Sequence, residues 1–348
     1  MKQWRIYMRC SLLALGFSMG SAHEGAAQTR PRTVDFTRAN TAISKFPARI
    51  PESGPTPLHL QILLDRANFS PGIIDGAWGL NAKKAFAFFA NPHEDDRLEG
   101  GTPPAPTSID KATYDRLRAQ AGPAKLLVRY TLTDEDVAGP FTPIPEKVYD
   151  QAKLKCLCYS SPLEKISEKF HVSAKLLAQL NPKVNLDKLS AGTELLVPNV
   201  IQENVGSAMD TVIVAKLIIS KTGFWTHAVD SEGRILAHYP STLGAGYDPS
   251  PSGKVKVTYV ARDPSFRYQP KLFAEVPDDE PEALLPPGPN SPVGRVWMSL
   301  SKPHYGIHGT SSPETIGYAN SHGCVRLTNW DAVELSDMVE GGTPVEFH

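Results

Sequence analysis

The apolar pattern of this chain changes its period near residue 210, and that change limits the folds open to it. Before this point, apolar residues recur every three to four positions in short segments, which is the spacing of one helix face. After it, Val- and Ile-rich runs alternate with turn residues, which is typical of β-strands. A chain of 348 residues has room for two or three domains of ordinary size. The sequence therefore predicts a multidomain α+β protein with helical modules first and a mostly-β domain last.

Charge and composition exclude several classes of partner and of protein. Lys and Arg total 36 against 37 Asp and Glu, which gives a formal net charge of -1. Without a global basic field, we expect no nucleic-acid partner. Hydrophobic residues make up 41% and charged residues 21%, which is ordinary for globular proteins. A wholly disordered, collagen-like or multi-span membrane protein is therefore excluded.

The first residues have the layout of an export signal. Lys2, Arg5 and Arg9 precede an apolar run from Cys10 to about Met19, and small residues follow. This is the three-part arrangement of a secretory signal peptide, which we predict over residues 1–27. The apolar run has about half of the ~20 residues that a membrane-spanning helix needs. We expect a periplasmic or cell-envelope protein with no membrane span after signal removal.

The cysteine count then becomes informative. Removal of the signal leaves Cys156, Cys158 and Cys324 in an oxidising compartment, where thiols tend to pair. Because three is odd, at least one thiol stays free. Cys324 is the natural candidate, since its neighbourhood differs from that of the other two. Whether Cys156 and Cys158 pair is open at this stage, because the ring they would close is small.

A helical module follows a Pro-rich segment. Residues 28–56 have no sustained period and are predicted to be a linker. Within residues 57–122, apolar residues at helical spacing are interrupted by Asp75-Gly76 and resume from Ala82 to Phe89. A third helix is predicted from Ile109 to Ala119. The pattern indicates a small three-helix bundle.

A second module spans residues 128–200. It is predicted as a small strand-helix-helix-strand (βααβ) unit. Its elements lie, in order, around Tyr130–Leu132, Leu163–Phe170, Ala174–Leu180 and Glu194–Pro198. Residues 134–159, which carry Cys156 and Cys158, form an unusual insert between the first strand and the first helix.

Both modules resemble domains that bind the bacterial cell wall. Residues of the first are similar to the peptidoglycan-binding type 1 domain, a small three-helix module; they are Leu60, Gln61, Leu64, Gly72, Ile74, Asp75, Gly76, Trp78, Gly79, Ala85 and Phe89. The second module resembles a LysM domain, which binds glycans that contain N-acetylglucosamine. The resemblances imply glycan strands and stem peptides of peptidoglycan as partners.

The third domain, residues 210–348, is predicted to be mostly β, as a sandwich or open barrel with few helices. One clear helix begins near Thr328 and ends at Gly341-Gly342. A Pro-rich insert from Pro264 to Pro292 is long enough to act as a lid that favours one acceptor.

A cysteine and nearby histidines in this domain have the residue types of a nucleophilic site. Cys324 follows His308-Gly309-Thr310 and lies in Ser321-His322-Gly323-Cys324-Val325-Arg326-Leu327. A thiol of pKa ~8.5 is mostly protonated at neutral pH, so a base or a positive neighbour must activate it. His308 can take that proton and later return one to a leaving amine. Gly323 lets the backbone present N–H groups to an oxyanion.

A zinc site is the rival interpretation of the same residues. His304, His308, His322 and Cys324 are acceptable zinc ligands, and three of them would suffice. No further Cys or carboxylate lies at ligand spacing, so we favour the cysteine enzyme and expect neither metal nor cofactor. His322 is expected to be structural or orienting rather than the base.

The complete string resembles the signature of the L,D-transpeptidase catalytic domain, the YkuD family. Two upstream stretches are similar to that family as well, namely Pro251–Gly253 and Pro289–Gly294. The resemblance implies Cys324 as the acylated nucleophile and His308 as the base, held by the carbonyl of Gly309. It further implies an oxyanion hole of backbone N–H groups around His322, Gly323 and Cys324. Ser321 and Arg326 are the implied substrate-binding residues, with Arg326 either placing a donor carboxylate or steadying the loop.

The family's reaction is an acyl transfer on peptidoglycan. The resemblance implies that Cys324 attacks the third residue of a tetrapeptide stem, releases D-Ala and passes the acyl group to an amine. The acceptor stays open: a second stem gives a cross-link, a lipoprotein gives anchoring, and water makes the protein an L,D-carboxypeptidase. A non-catalytic wall-binding protein is the alternative from another class, and the intact His, Gly and Cys set argues against it.

Overall fold

The computed structural model describes residues 34–92, 101–200, 213–246, 248–272, 276–277 and 279–348. The predicted signal peptide lies outside these residues. No helix in the described part of the chain is long and apolar enough to cross a membrane. Residues from Asp35 to His348 form one compact unit.

Three helices form the first module, as the sequence predicts: α1 (Pro55–Arg66), α2 (Leu80–Ala90) and α3 (Lys111–Ala121). Proline starts α1, where its missing N–H costs no helical hydrogen bond. Asp110 caps α3, because its carboxylate accepts a hydrogen bond from the Thr113 N–H.

The described part of the segment predicted to be a linker, which starts at residue 34, is folded structure. It contains a 3-10 turn at Phe36–Asn40 and the strand β1 (Ala48–Arg49), which pairs antiparallel with β2 (Ser108–Ile109). Phe36 and Ile50 are buried in the core beside the helices. These elements are too short to show a hydrophobic period, which is why the pattern alone indicates a linker here.

The second module has the predicted strand-helix-helix-strand order. Strand β3 (Leu127–Thr131) pairs antiparallel with the last strand of the module, and its insert carries α4 (Asp134–Val137) and α5 (Val148–Gln151). The remaining elements are α6 (Pro162–Lys169), α7 (Ala174–Leu180) and β4 (Glu194–Pro198). Cys156 and Cys158 form a disulfide, and Cys324 is the free cysteine of the described residues. The pairing that the sequence left open is thereby settled.

The third domain is built on an open, curled sheet of eight strands. The strands are β5 (Lys216–Ser220), β6 (Trp225–Val229), β7 (Ile235–Pro240), β9 (Gly253–Arg262), β12 (Val296–Leu300), β13 (Gly306–His308), β15 (Val325–Arg326) and β16 (Pro344–Phe347). Their order across the sheet is β15-β13-β12-β9-β16-β5-β6-β7. Two short pairs lie outside this sheet, β8 (Leu243–Gly244) with β14 (Asn320–Ser321), and β10 (Phe266–Tyr268) with β11 (Ala283–Leu285).

One helix accompanies that sheet. Helix α8 (Asn329–Met338) packs against β12 and β13, and the Thr328 hydroxyl caps it by accepting from the Asp331 N–H. The chain is therefore mixed α+β, with a three-helix module, a βααβ module and a mostly-β domain. This confirms the predicted fold class.

The modules share a core. One buried apolar cluster includes Leu64 of α1, Leu177 of α7 and Trp225 of β6. Backbone hydrogen bonds cross between the modules as well: the Ser70 N–H donates to the His238 carbonyl at 2.9 Å. The domains are consequently packed together and not strung on flexible linkers.

A buried polar cluster joins the same three modules. The His171 Nδ1 lies 2.9 Å from the Asp65 carboxylate, and the His171 ring stacks on Trp330 at 4.9 Å between centroids. The Ser70 hydroxyl donates to the Asp331 carboxylate at 3.0 Å. These contacts connect α1 with the loop between α6 and α7 and with α8.

Candidate active site

Cys324 lies on a tight loop between β14 and β15. The preceding Gly323 has φ +88°, and a Cβ there would lie 2.6 Å from the Tyr305 ring, so only glycine fits. Two hydroxyls hold the loop backbone: Ser250 donates to the Gly323 carbonyl at 2.8 Å, and Ser321 donates to the Cys324 carbonyl at 2.5 Å. Cys324 is half-buried on a loop whose backbone is held at the carbonyls of Gly323 and Cys324.

His308 ends β13 and is buried. Its Nδ1 lies 2.7 Å from the Gly309 carbonyl oxygen. Because a carbonyl oxygen only accepts hydrogen bonds, Nδ1 carries the proton in the neutral ring, and Nε2 keeps its lone pair. The ring stacks on Trp297, with 5.4 Å between centroids and 23° between planes. The geometry thus fixes both the tautomer and the ring orientation that a general base needs.

Cys324 and His308 line one cavity of about 490 Å³. Arg326, on the neighbouring strand β15, and His322 line it too, and so does Asp248. The cavity lining also includes the apolar side chains of Trp297 and Val293 and residues from the Pro-rich insert. A half-enclosed site with a thiol, an imidazole and a guanidinium suits a ligand with both peptide and charged groups.

The electrostatics keep the two reacting side chains neutral. Burial raises the pKa of the Cys324 thiol to about 11, while a backbone hydrogen bond from Gly306 and the charge of Arg326 act in the opposite direction. Burial and the nearby Arg326 lower the pKa of His308 to about 3, and the hydrogen bond to the Gly309 carbonyl offsets only part of this. At neutral pH the site holds a thiol and a neutral imidazole rather than an ion pair.

Comparisons with known proteins agree with this geometry. A sequence model of the L,D-transpeptidase catalytic domain, YkuD, matches residues 215–347, and one of the LysM domain matches residues 163–198. The chain is 31% identical over 183 residues to the "Putative L,D-transpeptidase YkuD" of Bacillus licheniformis, covering 53% of this chain and 91% of that protein. This chain belongs to the L,D-transpeptidase family. The resemblance of residues 57–122 to a peptidoglycan-binding type 1 domain stays a prediction.

Other members of the L,D-transpeptidase family are similar over comparable spans. The "Putative L,D-transpeptidase YkuD" of Bacillus subtilis is 30% identical over 183 residues, again 53% of this chain and 91% of that protein. A crystal structure of L,D-transpeptidase 3 from Mycobacterium tuberculosis is 17% identical, with a TM-score of 0.32 over 39% of this chain and 61% of that one.

The structure brings together most of the residues that the sequence singles out in this L,D-transpeptidase domain. Cys324, His308, His322 and Arg326 share the cavity, and Gly309 lies against His308. Ser321 differs from the expectation: it is buried, and its hydroxyl donates to the Cys324 carbonyl. That contact favours a role in holding the loop over the substrate contact expected from the sequence.

The zinc interpretation finds no support in the geometry. Over the described ranges, no group of three or more His, Cys, Asp or Glu side chains is arranged to hold a metal ion. The Cys324 Sγ instead lies 3.7 Å from the His304 backbone carbonyl.

Sequence reasoning missed several residues of the cavity wall. Asp248 lines the cavity near the loop of Cys324, but nothing in its sequence context marks it. Val148 and Gln151 also line the cavity, although they precede Cys324 by more than 170 positions and belong to the insert of the second module. Only the tertiary packing of the modules brings them to the site.

Proposed function

We propose that this chain is an exported peptidoglycan L,D-transpeptidase with Cys324 as nucleophile and His308 as general base. One observation carries the proposal: Nδ1 of His308 is committed to the Gly309 carbonyl, which leaves Nε2 as the basic atom in the cavity that holds the thiol. Membership in the L,D-transpeptidase family and the LysM match support peptidoglycan as the substrate.

The first step transfers an acyl group to sulfur. The Cys324 Sγ attacks the carbonyl carbon of the third stem residue as its proton passes to Nε2 of His308. The tetrahedral intermediate collapses with cleavage of the C–N bond to D-Ala, whose nitrogen takes the proton back from His308. A thioester remains on Cys324. The Cys324 thiol and the His308 imidazole are both neutral before the reaction. The proton therefore passes from sulfur to Nε2 during the attack, and no thiolate–imidazolium pair forms beforehand.

The second step returns the acyl group to an amine. The side-chain amine of a second stem attacks the thioester carbonyl and gives its proton to His308, and the C–S bond breaks with return of a proton to sulfur. The product is a cross-link between two third residues. Water in place of the amine gives a tripeptide, and a lipoprotein lysine gives an anchored lipoprotein.

In this proposal, neighbouring groups stabilise the developing negative charge, place the donor stem and hold the enzyme on the cell wall. Backbone N–H groups of His322, Gly323 and Cys324 bind the developing oxyanion, and Arg326 places a carboxylate of the donor stem. The LysM domain binds glycan strands, so that the enzyme works in the periplasm or cell envelope on the wall itself. The Pro-rich insert acts as a lid over the site.

The test is incubation of the chain, without its signal peptide, with disaccharide-tetrapeptide muropeptides, following D-Ala release and product mass. Release of D-Ala with a dimer mass is expected from the wild type and none from Cys324→Ala. A tripeptide alone would assign the carboxypeptidase reaction. If the wild type and Cys324→Ala are equally silent and both still bind sacculi, the proposal fails in favour of a wall-binding protein.

A further inference from the structure

A short segment of the second module reaches the active-site cavity. Residues 145–158, here called the insert wall, include α5 and the disulfide Cys156–Cys158. They lie outside both matched ranges, since the LysM match begins at residue 163 and the catalytic match at residue 215. Neither domain family therefore accounts for this segment.

Two side chains of the insert wall line the cavity that holds Cys324. They are Val148 and Gln151, at the two ends of α5. Both are half-buried, and they share the cavity with Phe266 and Tyr268 of β10. An aliphatic and an amide side chain at this place provide one apolar contact and one hydrogen-bonding group.

The amide of Gln151 has a defined orientation. Its Nε2 donates to the Pro145 carbonyl at 2.8 Å. A carbonyl oxygen only accepts, so the nitrogen and not the oxygen of the amide faces Pro145. The side-chain oxygen Oε1 is then the atom that can accept a hydrogen bond from an N–H group of a ligand.

Tyr149, between these two residues, attaches α5 to the catalytic domain. The single proton of its hydroxyl is shared between two acceptors, the Pro281 carbonyl at 2.9 Å and the Glu280 carboxylate at 3.1 Å. Its ring meets Tyr268 edge to face at 6.3 Å. These contacts hold α5 against the hairpin of β10 and β11 that borders the cavity.

The disulfide loop forms a second attachment. Leu157, between the two cysteines, is fully buried; its N–H donates to the Pro287 carbonyl and its carbonyl accepts from the Asn290 N–H, each at 2.9 Å. A Cβ on Gly288, which has φ +142°, would lie 2.2 Å from the Leu157 carbonyl oxygen, so a side chain there would prevent this docking. The insert wall is thus fixed at both ends on the catalytic domain, and its position at the cavity is built into the fold.

We propose that the insert wall is part of the substrate cleft, with Val148 and Gln151 contacting the peptide stem bound at Cys324. Val148 packs against an alkyl portion of the stem, and Gln151 Oε1 accepts a hydrogen bond from an N–H of the stem. Tyr149 is a positioning residue, because it acts through α5. The inference rests on the proposed function, since it names contacts for the same substrate.

The test compares Val148→Ala and Gln151→Ala with the wild type in D-Ala release from disaccharide-tetrapeptide. Glu146→Ala is the matched control, because Glu146 is exposed in the same segment and does not line the cavity. Alkylation of the Cys324 thiol by iodoacetamide provides a second readout that needs no peptide contact. We expect each cavity variant to raise KM about fivefold or more, with alkylation rates and Glu146→Ala at wild-type values.

Tyr149→Phe sharpens this test, because it removes the hydroxyl but keeps the ring. It should raise KM by a smaller factor, about twofold to threefold, with kcat and alkylation unchanged.

The outcomes separate the two proposals. An active wild type whose Val148→Ala and Gln151→Ala variants keep its KM would overturn the inference and leave the proposed function intact. Variants that lose alkylation and turnover together would also overturn it, since the segment would then support the loop of Cys324 rather than contact the stem. A wild type that releases no D-Ala would overturn the proposed function, and this inference with it.

Discussion

Two histidines of this protein, the buried His308 and the partly buried His171, have similar surroundings and opposite pKa shifts. His308 and His171 each place Nδ1 within hydrogen-bond distance of an oxygen and each stack on a tryptophan, Trp297 and Trp330. His308 faces a neutral carbonyl with Arg326 nearby, and its pKa falls to about 3. For His171, burial alone would lower the pKa, but the Asp65 carboxylate and further acidic groups raise it overall.

The difference shows that burial alone does not decide whether a histidine holds a second proton, since the charges around it act as well. The Gly309 carbonyl fixes the tautomer of His308 and leaves Nε2 unprotonated, so that this atom can accept a proton. A carboxylate stabilises the imidazolium, which suits an ion pair that joins modules. In the proposed function His308 takes part in the chemistry, whereas His171 joins α1 with the second module and α8.

The largest expected effect concerns the base. His308→Gln should lower kcat for D-Ala release by about 10²–10⁴-fold, the range that general-base catalysis contributes, because the amide that replaces the imidazole cannot take the thiol proton. The assay is muropeptide turnover, with urea unfolding as the check on stability. A His308→Gln variant whose turnover stays within tenfold of the wild type would contradict the general-base role proposed for His308.

His171→Gln should show the reverse pattern. Loss of the imidazole leaves the mostly buried Asp65 carboxylate without its partner, which we expect to lower the free energy of unfolding by about 3 kcal/mol. Urea denaturation measures this loss, and D-Ala release per folded molecule should stay within a few-fold of wild type. An unchanged urea midpoint would contradict the role given to His171.

The contribution of Asp331, an acidic residue near His171, to the free energy of unfolding should depend on pH. Burial raises the pKa of Asp331 to about 7, so the folded protein holds this proton more tightly than the unfolded chain does. Stability from such a group is present at low pH and is lost as the pH rises toward 7. Relative to the always-neutral Asp331→Asn, the wild type should lose about 1 kcal/mol between pH 6 and pH 7. A constant difference in unfolding free energy across that range would refute this.

The smallest effect concerns Arg326, whose charge lowers the pKa of Cys324 and of His308. Arg326→Gln should raise the thiol pKa and slow iodoacetamide alkylation at pH 8 by about twofold to fivefold. Lys302→Gln is the matched control, since Lys302 lies over the Tyr305 ring at 4.5 Å but does not line the cavity. Equal alkylation rates for Arg326→Gln and Lys302→Gln would show that the charge of Arg326 does not lower the pKa of the Cys324 thiol.

The sequence predicts best those features that depend on residues close to one another along the chain. Cys324 and His308 stand in short strings whose chemistry is local, and the helices of both N-terminal modules have apolar faces of regular period. The Gly309 carbonyl that orients His308 belongs to the next residue, so this pairing needs no tertiary information.

What the sequence does not reveal depends on packing between distant segments. The ordered segment around Phe36 has elements of two to five residues, too short for any period. His171 is a lone histidine whose partner Asp65 lies 106 positions earlier. Val148 and Gln151 carry no motif, and the contacts of Tyr149 and of the disulfide loop with the catalytic domain bring them to the cavity.

The common core of the three modules has a consequence for where the enzyme can act. A glycan-binding domain on a flexible tether lets a catalytic domain sample every stem within the tether's length. Here the apolar cluster that includes Leu64, Leu177 and Trp225 locks the LysM domain to the catalytic sheet. In the proposed function, with a glycan strand held by the LysM domain, the distance and angle from that glycan strand to Cys324 are constants of the fold. The spacing of its products along the wall would then be set by the protein's own dimensions rather than by chance encounter.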